Sequence, residues 1–176
     1  MMRRFLDRLY LVAGGISALC IILICLVVSA QILLNILARL GGPSLSFTIP
    51  SYADFAGFFL ATASFMGLAY TLRRGAHIRV NLVVQLLPMR ARMWLEVLTL
   101  AGGGVISGYA TYYMADLLSQ SWQYGDKSPG IIAIPLWIPQ VMVVTGLALL
   151  TVAFVDTALE ALRKGAPVLV DEGGVE

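Results

Sequence analysis

Leu19-Cys20-Ile21-Ile22-Leu23-Ile24-Cys25-Leu26-Val27-Val28 is an unbroken run of apolar residues, set inside a longer stretch, Leu9 to Ala38, that carries no charge. A helix rising about 1.5 Å per residue through that stretch exceeds the ~30 Å hydrocarbon core of a bilayer. Lipid offers the backbone no hydrogen-bond partner, so only helices and closed barrels cross it. A barrel strand would alternate apolar with polar residues, and this run does not. The stretch therefore reads as a transmembrane helix.

Three more charge-free stretches follow: Phe55 to Leu72, Val97 to Ala115 and Ser128 to Val155. Allowing for interfacial ends, the spans are expected at about 9–35, 52–72, 95–115 and 133–156. Composition agrees. The 176 residues are 59% hydrophobic and 12% charged, about half the charged fraction of ordinary soluble domains, which is roughly 25%. The expected fold is an all-α integral membrane protein with four transmembrane helices. Residues 1–165 form the membrane domain, and 166–176 a flexible cytoplasmic tail.

The basic residues orient the chain. Arg3, Arg4 and Arg8 precede the first span; Arg73, Arg74, Arg79, Arg90 and Arg92 lie between the second and third; Arg163 and Lys164 follow the fourth. Only Arg39 and Lys127 fall on the other side. By the positive-inside rule both termini are cytoplasmic. Val28-Ser29-Ala30 imitates a leader cleavage site, but Leu9 to Val27 is longer than the ~7–15 residues of a leader's apolar core, so the first span is expected to be retained.

Between spans two and three, His77, Asn81 and Gln85 recur every four residues on an otherwise apolar background. That narrow polar stripe predicts an interfacial amphipathic helix over about 77–87, ended by Pro88. His77 to Leu82 also alternates as a strand would, but an isolated strand at a membrane surface would leave its edges unpaired. His77, the only histidine, reads as a polar face contact, since no second metal-ligand type accompanies it. Arg73, Arg74 and Arg79 read as topology anchors that also meet anionic membrane lipids.

The third span contains Gly102-Gly103-Gly104-Val105-Ile106-Ser107-Gly108. Gly104 and Gly108 make a small-xxx-small face, as do Gly103 and Ser107, of the kind that lets helices approach closely in lipid. These glycines do not cradle phosphate, because no strand precedes them and no Lys-Ser/Thr follows. The fourth span opens with Ile134-Pro135-Leu136-Trp137-Ile138-Pro139, expected to form an interfacial lead-in bent at Pro139 and anchored by Trp137. Asp116 to Gly130 reads as an outer loop that contacts another protein.

What is missing narrows the function. Asp54, Glu96, Asp116 and Asp156 all fall at the ends of the charge-free stretches, and none inside. Intramembrane charge is the usual sign of an ion or substrate path. No catalytic constellation, metal set or cofactor site is read, and Cys20 and Cys25 point in different directions on one helix. Nucleic acid would need a clustered basic face on a soluble domain. The chain reads as an accessory membrane subunit and not an enzyme.

The order of short segments resembles the small membrane subunit of TRAP (tripartite ATP-independent periplasmic) transporters, the DctQ-like family. The resemblance runs from about Leu6 to Leu162. It is carried by Ala69-Tyr70-Thr71-Leu72-Arg73-Arg74-Gly75-Ala76-His77-Ile78-Arg79-Val80-Asn81, by Leu87-Pro88-Met89-Arg90-Ala91-Arg92, and by Ser128-Pro129-Gly130-Ile131-Ile132-Ala133-Ile134-Pro135-Leu136-Trp137. The family often has an acidic pair before the second span, where this chain has Asp54 alone. It often has Asp where this chain has Asn81.

The resemblance implies a bacterial inner-membrane protein that packs beside a large, sodium-coupled membrane subunit. A periplasmic substrate-binding protein would deliver an organic acid to that pair. The small subunit would be scaffold. Asp54, Arg73, Arg74, His77, Arg79, Asn81, Gln85, Gly104, Gly108, Pro135 and Trp137 are the candidate subunit or lipid contacts. The alternative is a small autonomous transporter or channel acting as an oligomer.

Overall fold

In a computed structural model, residues 2–41, 47–74 and 88–164 are described. They form four helices: α1 (Met2–Gly41), α2 (Tyr52–Arg73), α3 (Met89–Tyr124) and α4 (Trp137–Lys164). No strand occurs among them beyond one isolated bridge, Lys127 to Pro135. The expected interfacial helix at 77–87 and the tail at 166–176 lie outside the described residues.

The extensive contacts join α1 to α2, α2 to α4, and α4 to α3. The helices thus pack as an open row, α1–α2–α4–α3, with α2 and α4 central. A closed bundle would also need a comparable α1–α3 contact, and none is present. Most large apolar side chains of α1, such as Leu11, Leu19, Ile22 and Leu26, remain exposed. Exposed apolar surface on this scale is untenable in water and normal in lipid.

Three helices, α1, α2 and α4, are long and apolar enough to cross a membrane. α3 has the length but not the composition: Gly102, Gly103, Gly104, Gly108, Tyr109, Tyr112 and Tyr113 dilute its apolar content. The sequence expectation of four spans therefore meets three helices that qualify by composition.

Threonine hydroxyls along the helices are satisfied locally. Thr62, Thr71, Thr111, Thr145, Thr151 and Thr157 each donate to a carbonyl one turn back in their own helix. Such back-bonding spares these threonines a bare hydroxyl in an apolar environment.

Small residues set the spacings between helices. Gly146 of α4 lies against the backbone of Phe65 in α2, where an added Cβ would come within 2.6 Å. Gly103 of α3 faces the Phe154 ring of α4 at a similar 2.7 Å. Ser17 of α1 donates to the Ala63 carbonyl of α2 at 2.7 Å and sits over Gly67. These close approaches put backbone against backbone or ring, which is how helices gain dispersion energy in lipid.

Two helix boundaries differ from the sequence expectation. α3 continues through Asp116 to Tyr124, so most of the expected 116–130 loop is helix. Asp116 accepts from Gln120 one turn on, and the helix stops only at Gly125, in the left-handed region at φ 68°. α4 begins at Trp137, with Pro139 in its first turn, where a missing N–H breaks no helical bond. Residues 126–136 instead close on themselves.

Candidate functional site

At one end of the row, α1, α2 and α4 converge on Arg73. Its guanidinium lies 3.2 Å from Glu160, 3.4 Å from Asp156 and 3.7 Å from Asp7. It also donates to the Thr157 hydroxyl at 3.2 Å. Glu160 is itself held by Arg3 and by Lys164, the latter at 2.8 Å. Three carboxylates thus meet three cations, and the cluster is neutral. The side chains of Arg73 and Glu160 are only 14% and 8% exposed. Low exposure strengthens the Arg73–Glu160 attraction and makes either group costly to leave unpaired, whereas Arg3, Asp7 and Lys164 are more than half exposed and their attractions are screened.

The local sequence explains the convergence. Asp156, Glu160 and Lys164 are spaced four apart and share one face of α4. Arg73 ends α2 on the side facing them. Below the ions lies an apolar cluster of Tyr10, Ala69, Leu72, Leu100, Leu150 and Ala153, drawn from all four helices. The Tyr10 hydroxyl is buried there with no hydrogen-bond partner among the described residues.

Arg73 and Arg74 were expected to act alike as lipid-facing anchors, and the structure separates them. Arg73 turns inward to the carboxylates. Arg74 is exposed, with its guanidinium 5.4 Å from the Tyr70 ring centroid, within cation–π range.

The opposite end of the row is built by Asp54. It sits in the first turn of α2, following Ser51, which adopts a left-handed conformation (φ 56°). Ser51 Oγ accepts the Ile132 N–H at 2.8 Å, tying α2 to the lead-in of α4. The Asp54 carboxylate lies directly over Gly130, where any side chain would overlap it. Its Oδ2 is buried with no hydrogen-bond partner among the described residues. An open groove of about 280 Å³ runs along this end, lined by Gln31, Ser51, Asp54 and Gly130 among others. Buried Gln31 accepts the Ile49 N–H at 2.8 Å and donates to Asn35 at 3.0 Å.

Pro135 and Trp137 also lie at this end. Ser128 is the centre of the 126–136 turn: its N–H donates to Ile134 O, and its hydroxyl accepts from Ile134 N–H and donates to Ile132 O. Pro135 forms the bridge to Lys127. Trp137 meets Trp122 of α3 edge to face, with ring centroids 4.9 Å apart.

Gly104 and Gly108 do face α4, opposite Phe154 Cβ and Thr151 Cγ2, but with room for a Cβ at 3.5 and 3.6 Å. The tight glycines in the contacts α4 makes with α3 and α2 are Gly103 and Gly146, and sequence spacing does not single out Gly146. Between them, Thr151 donates to Ser107 at 3.0 Å, linking α4 to α3. His77, Arg79, Asn81 and Gln85 lie outside the described residues.

Chemically, both ends are fastenings. Among the described residues no group of three or more His, Cys, Asp or Glu side chains is arranged to hold a metal ion.

The family model described as tripartite ATP-independent periplasmic transporters, DctQ component, matches residues 24–164. No curated protein and no solved structure matches the chain. The family match spans well over half of the sequence. The chain belongs to the DctQ family, a family of transporter components and not of enzymes.

Proposed function

We propose that this DctQ-family chain is the static small subunit of a sodium-coupled tripartite transporter that takes up an organic acid. It would sit in the bacterial inner membrane with both termini cytoplasmic and all four helices crossing. A large membrane subunit carries substrate and sodium; a periplasmic protein delivers the acid. This chain holds the stationary part of the large subunit in register with the bilayer.

The observation that supports this reading is the fastening of the row at several depths. The Arg73 cluster joins α1, α2 and α4 at one end, Ser17 and Gly67 join α1 to α2, Gly146 and Phe65 join α2 to α4, and Thr151 and Ser107 join α4 to α3. Packed small residues and neutralised ions favour one arrangement over a moving one. The charge-rich end matches the basic, cytoplasmic side. There Arg74 remains exposed to meet anionic headgroups, whereas Arg73 does not.

Reconstitution tests this. Proteoliposomes holding the large subunit and binding protein should show sodium-driven uptake of the acid only when this chain is included, and the chain should co-purify with the large subunit. Uptake of equal rate without it would refute the scaffold role. Flux through liposomes holding this chain alone would instead support the autonomous oligomer.

A further inference from the structure

We propose that the outward face of α3, centred on Tyr112 and Asp116, docks against a transmembrane helix of the large membrane subunit that presents a hydrogen-bond donor or cation at the depth of Asp116. The inference deepens the scaffold reading and rests on it.

The register between α3 and α4 fixes the depth. Trp122 meets Trp137, Gln140 donates to Ser121 at 2.9 Å, Thr151 donates to Ser107, and Phe154 covers Gly103. Residues 103–122 of α3 therefore run beside the uncharged part of α4, from Trp137 to Val155. Asp116 precedes Trp122 by six residues, which places it about 9 Å inside the aromatic boundary. The charge-free stretches alone had put Asp116 at the end of a span.

Asp116 does not face α4. With Gln120, its hydrogen-bond partner at 2.8 Å, it is exposed. Tyr109, Tyr112 and Tyr113 continue the same face at 66%, 72% and 53% exposure. A carboxylate and three phenols at this depth are costly against acyl chains, which offer no donor. α3 is also the one helix of the four that lacks the apolar composition of a membrane span, in part because of these residues. It ends the row, so no other described helix covers this face.

The occupant follows from the charge. A second copy of this chain, inserted the same way up and packed through α3 about a two-fold axis, would set Asp116 against Asp116. A soluble binding protein does not reach that depth. A membrane-spanning helix of different sequence, with a lysine, arginine, amide or hydroxyl opposite Asp116, meets the need.

The test is a photo-crosslinking residue in place of Tyr112 in the co-expressed complex, beside an Asp116→Leu chain. The adduct at position 112 should contain the large subunit, identified by its mass. Asp116→Leu should lower the large subunit retained through purification at least fivefold while the chain's own thermal unfolding stays unchanged. Adducts with lipid only, or with a second copy, would overturn the assignment, as would full retention by Asp116→Leu. If the unmodified chain retains no large subunit at all, the scaffold reading fails as well. If it retains one but position 112 captures only lipid, this face alone is misassigned.

Discussion

Arg73 on α2 and Glu160 on α4 meet 3.2 Å apart across the contact between the two central helices, with the sequence between them leaving and re-crossing the row. Around this pair, Asp7 and Arg3 recruit α1. One arginine therefore decides the spacing of three helices.

Replacing Arg73 with Leu should be among the most damaging single changes. It strands Asp156 and weakens the hold on Glu160, though Arg3 and Lys164 still neutralise the latter. Breaking a buried pair costs about 3–5 kcal/mol, and the remaining cations put the expected cost near the lower end. Thermal unfolding in detergent should fall by roughly 10 °C for a chain of this size. Arg73→Lys should recover only part, because an ammonium lacks the fork that reaches several acceptors. Equal stability of all three chains would remove the cluster from the account.

Gly146→Ala and Gly104→Ala should behave differently despite being the same substitution. At Gly146 the methyl group meets the Phe65 backbone at 2.6 Å, which must then move. Overpacking of that kind costs about 1–3 kcal/mol. At Gly104 the nearest atom is 3.5 Å away, so Ala should be tolerated, as it should at Gly108. Leu at Gly104 or Gly108 is too large for the α3–α4 gap and should disrupt it. Thermal unfolding of the alanine pair decides the matter; a harmless Gly146→Ala would mean that α2 and α4 stand further apart.

The Ser107–Thr151 bond should be worth little on its own. Cross-helix hydrogen bonds inside membranes average about 0.6 kcal/mol in double-mutant cycles. A cycle of Ser107→Ala with Thr151→Val should return a coupling of that order. A coupling several times larger would show that polar bonds, more than small-residue packing, hold α3 to α4.

Gly130→Ala should push the Asp54 carboxylate aside and loosen the α2–α4 tie at Ser51, since both side chains stand where the methyl group would go. Adding Asp54→Ala should relieve part of that strain, so the double variant should unfold at a higher temperature than Gly130→Ala alone. Strictly additive losses would show that the two residues do not touch.

The three helices apolar enough to cross a membrane are legible in the sequence because lipid imposes one rule, the exclusion of charge, and charge-free stretches are easily seen. The helix ends were less so. Asp116 reads as a terminus in the sequence because charge ordinarily marks the water boundary, yet the helix continues until Gly125 supplies the left-handed turn. The stagger between α3 and α4 was invisible for a related reason: charge gaps mark each helix separately and say nothing of how two helices slide. Arg73 was correctly placed at the end of its span, but its partners belong to helices distant in sequence. The four-residue spacing of Asp156, Glu160 and Lys164 was the available signal for an acidic face awaiting a cation. Gly146 has Met142 and Leu150 four residues away on either side, so no small-xxx-small pattern announces the tightest approach between the central helices.

If this chain stays still while its partner moves, a covalent lock between α1 and α2 leaves transport unchanged. Ser17 Cβ lies 3.6 Å from the position of a Cβ at Gly67, within the range a disulfide accepts. Ser17→Cys with Gly67→Cys, after replacing Cys20 and Cys25 by Ala, would tie α1 to α2. Sodium-driven uptake by the complete complex should be the same with the bond formed and after its reduction. Uptake that is lost on oxidation and returns on reduction would contradict the account, because α1 and α2 would then have to move apart in each cycle.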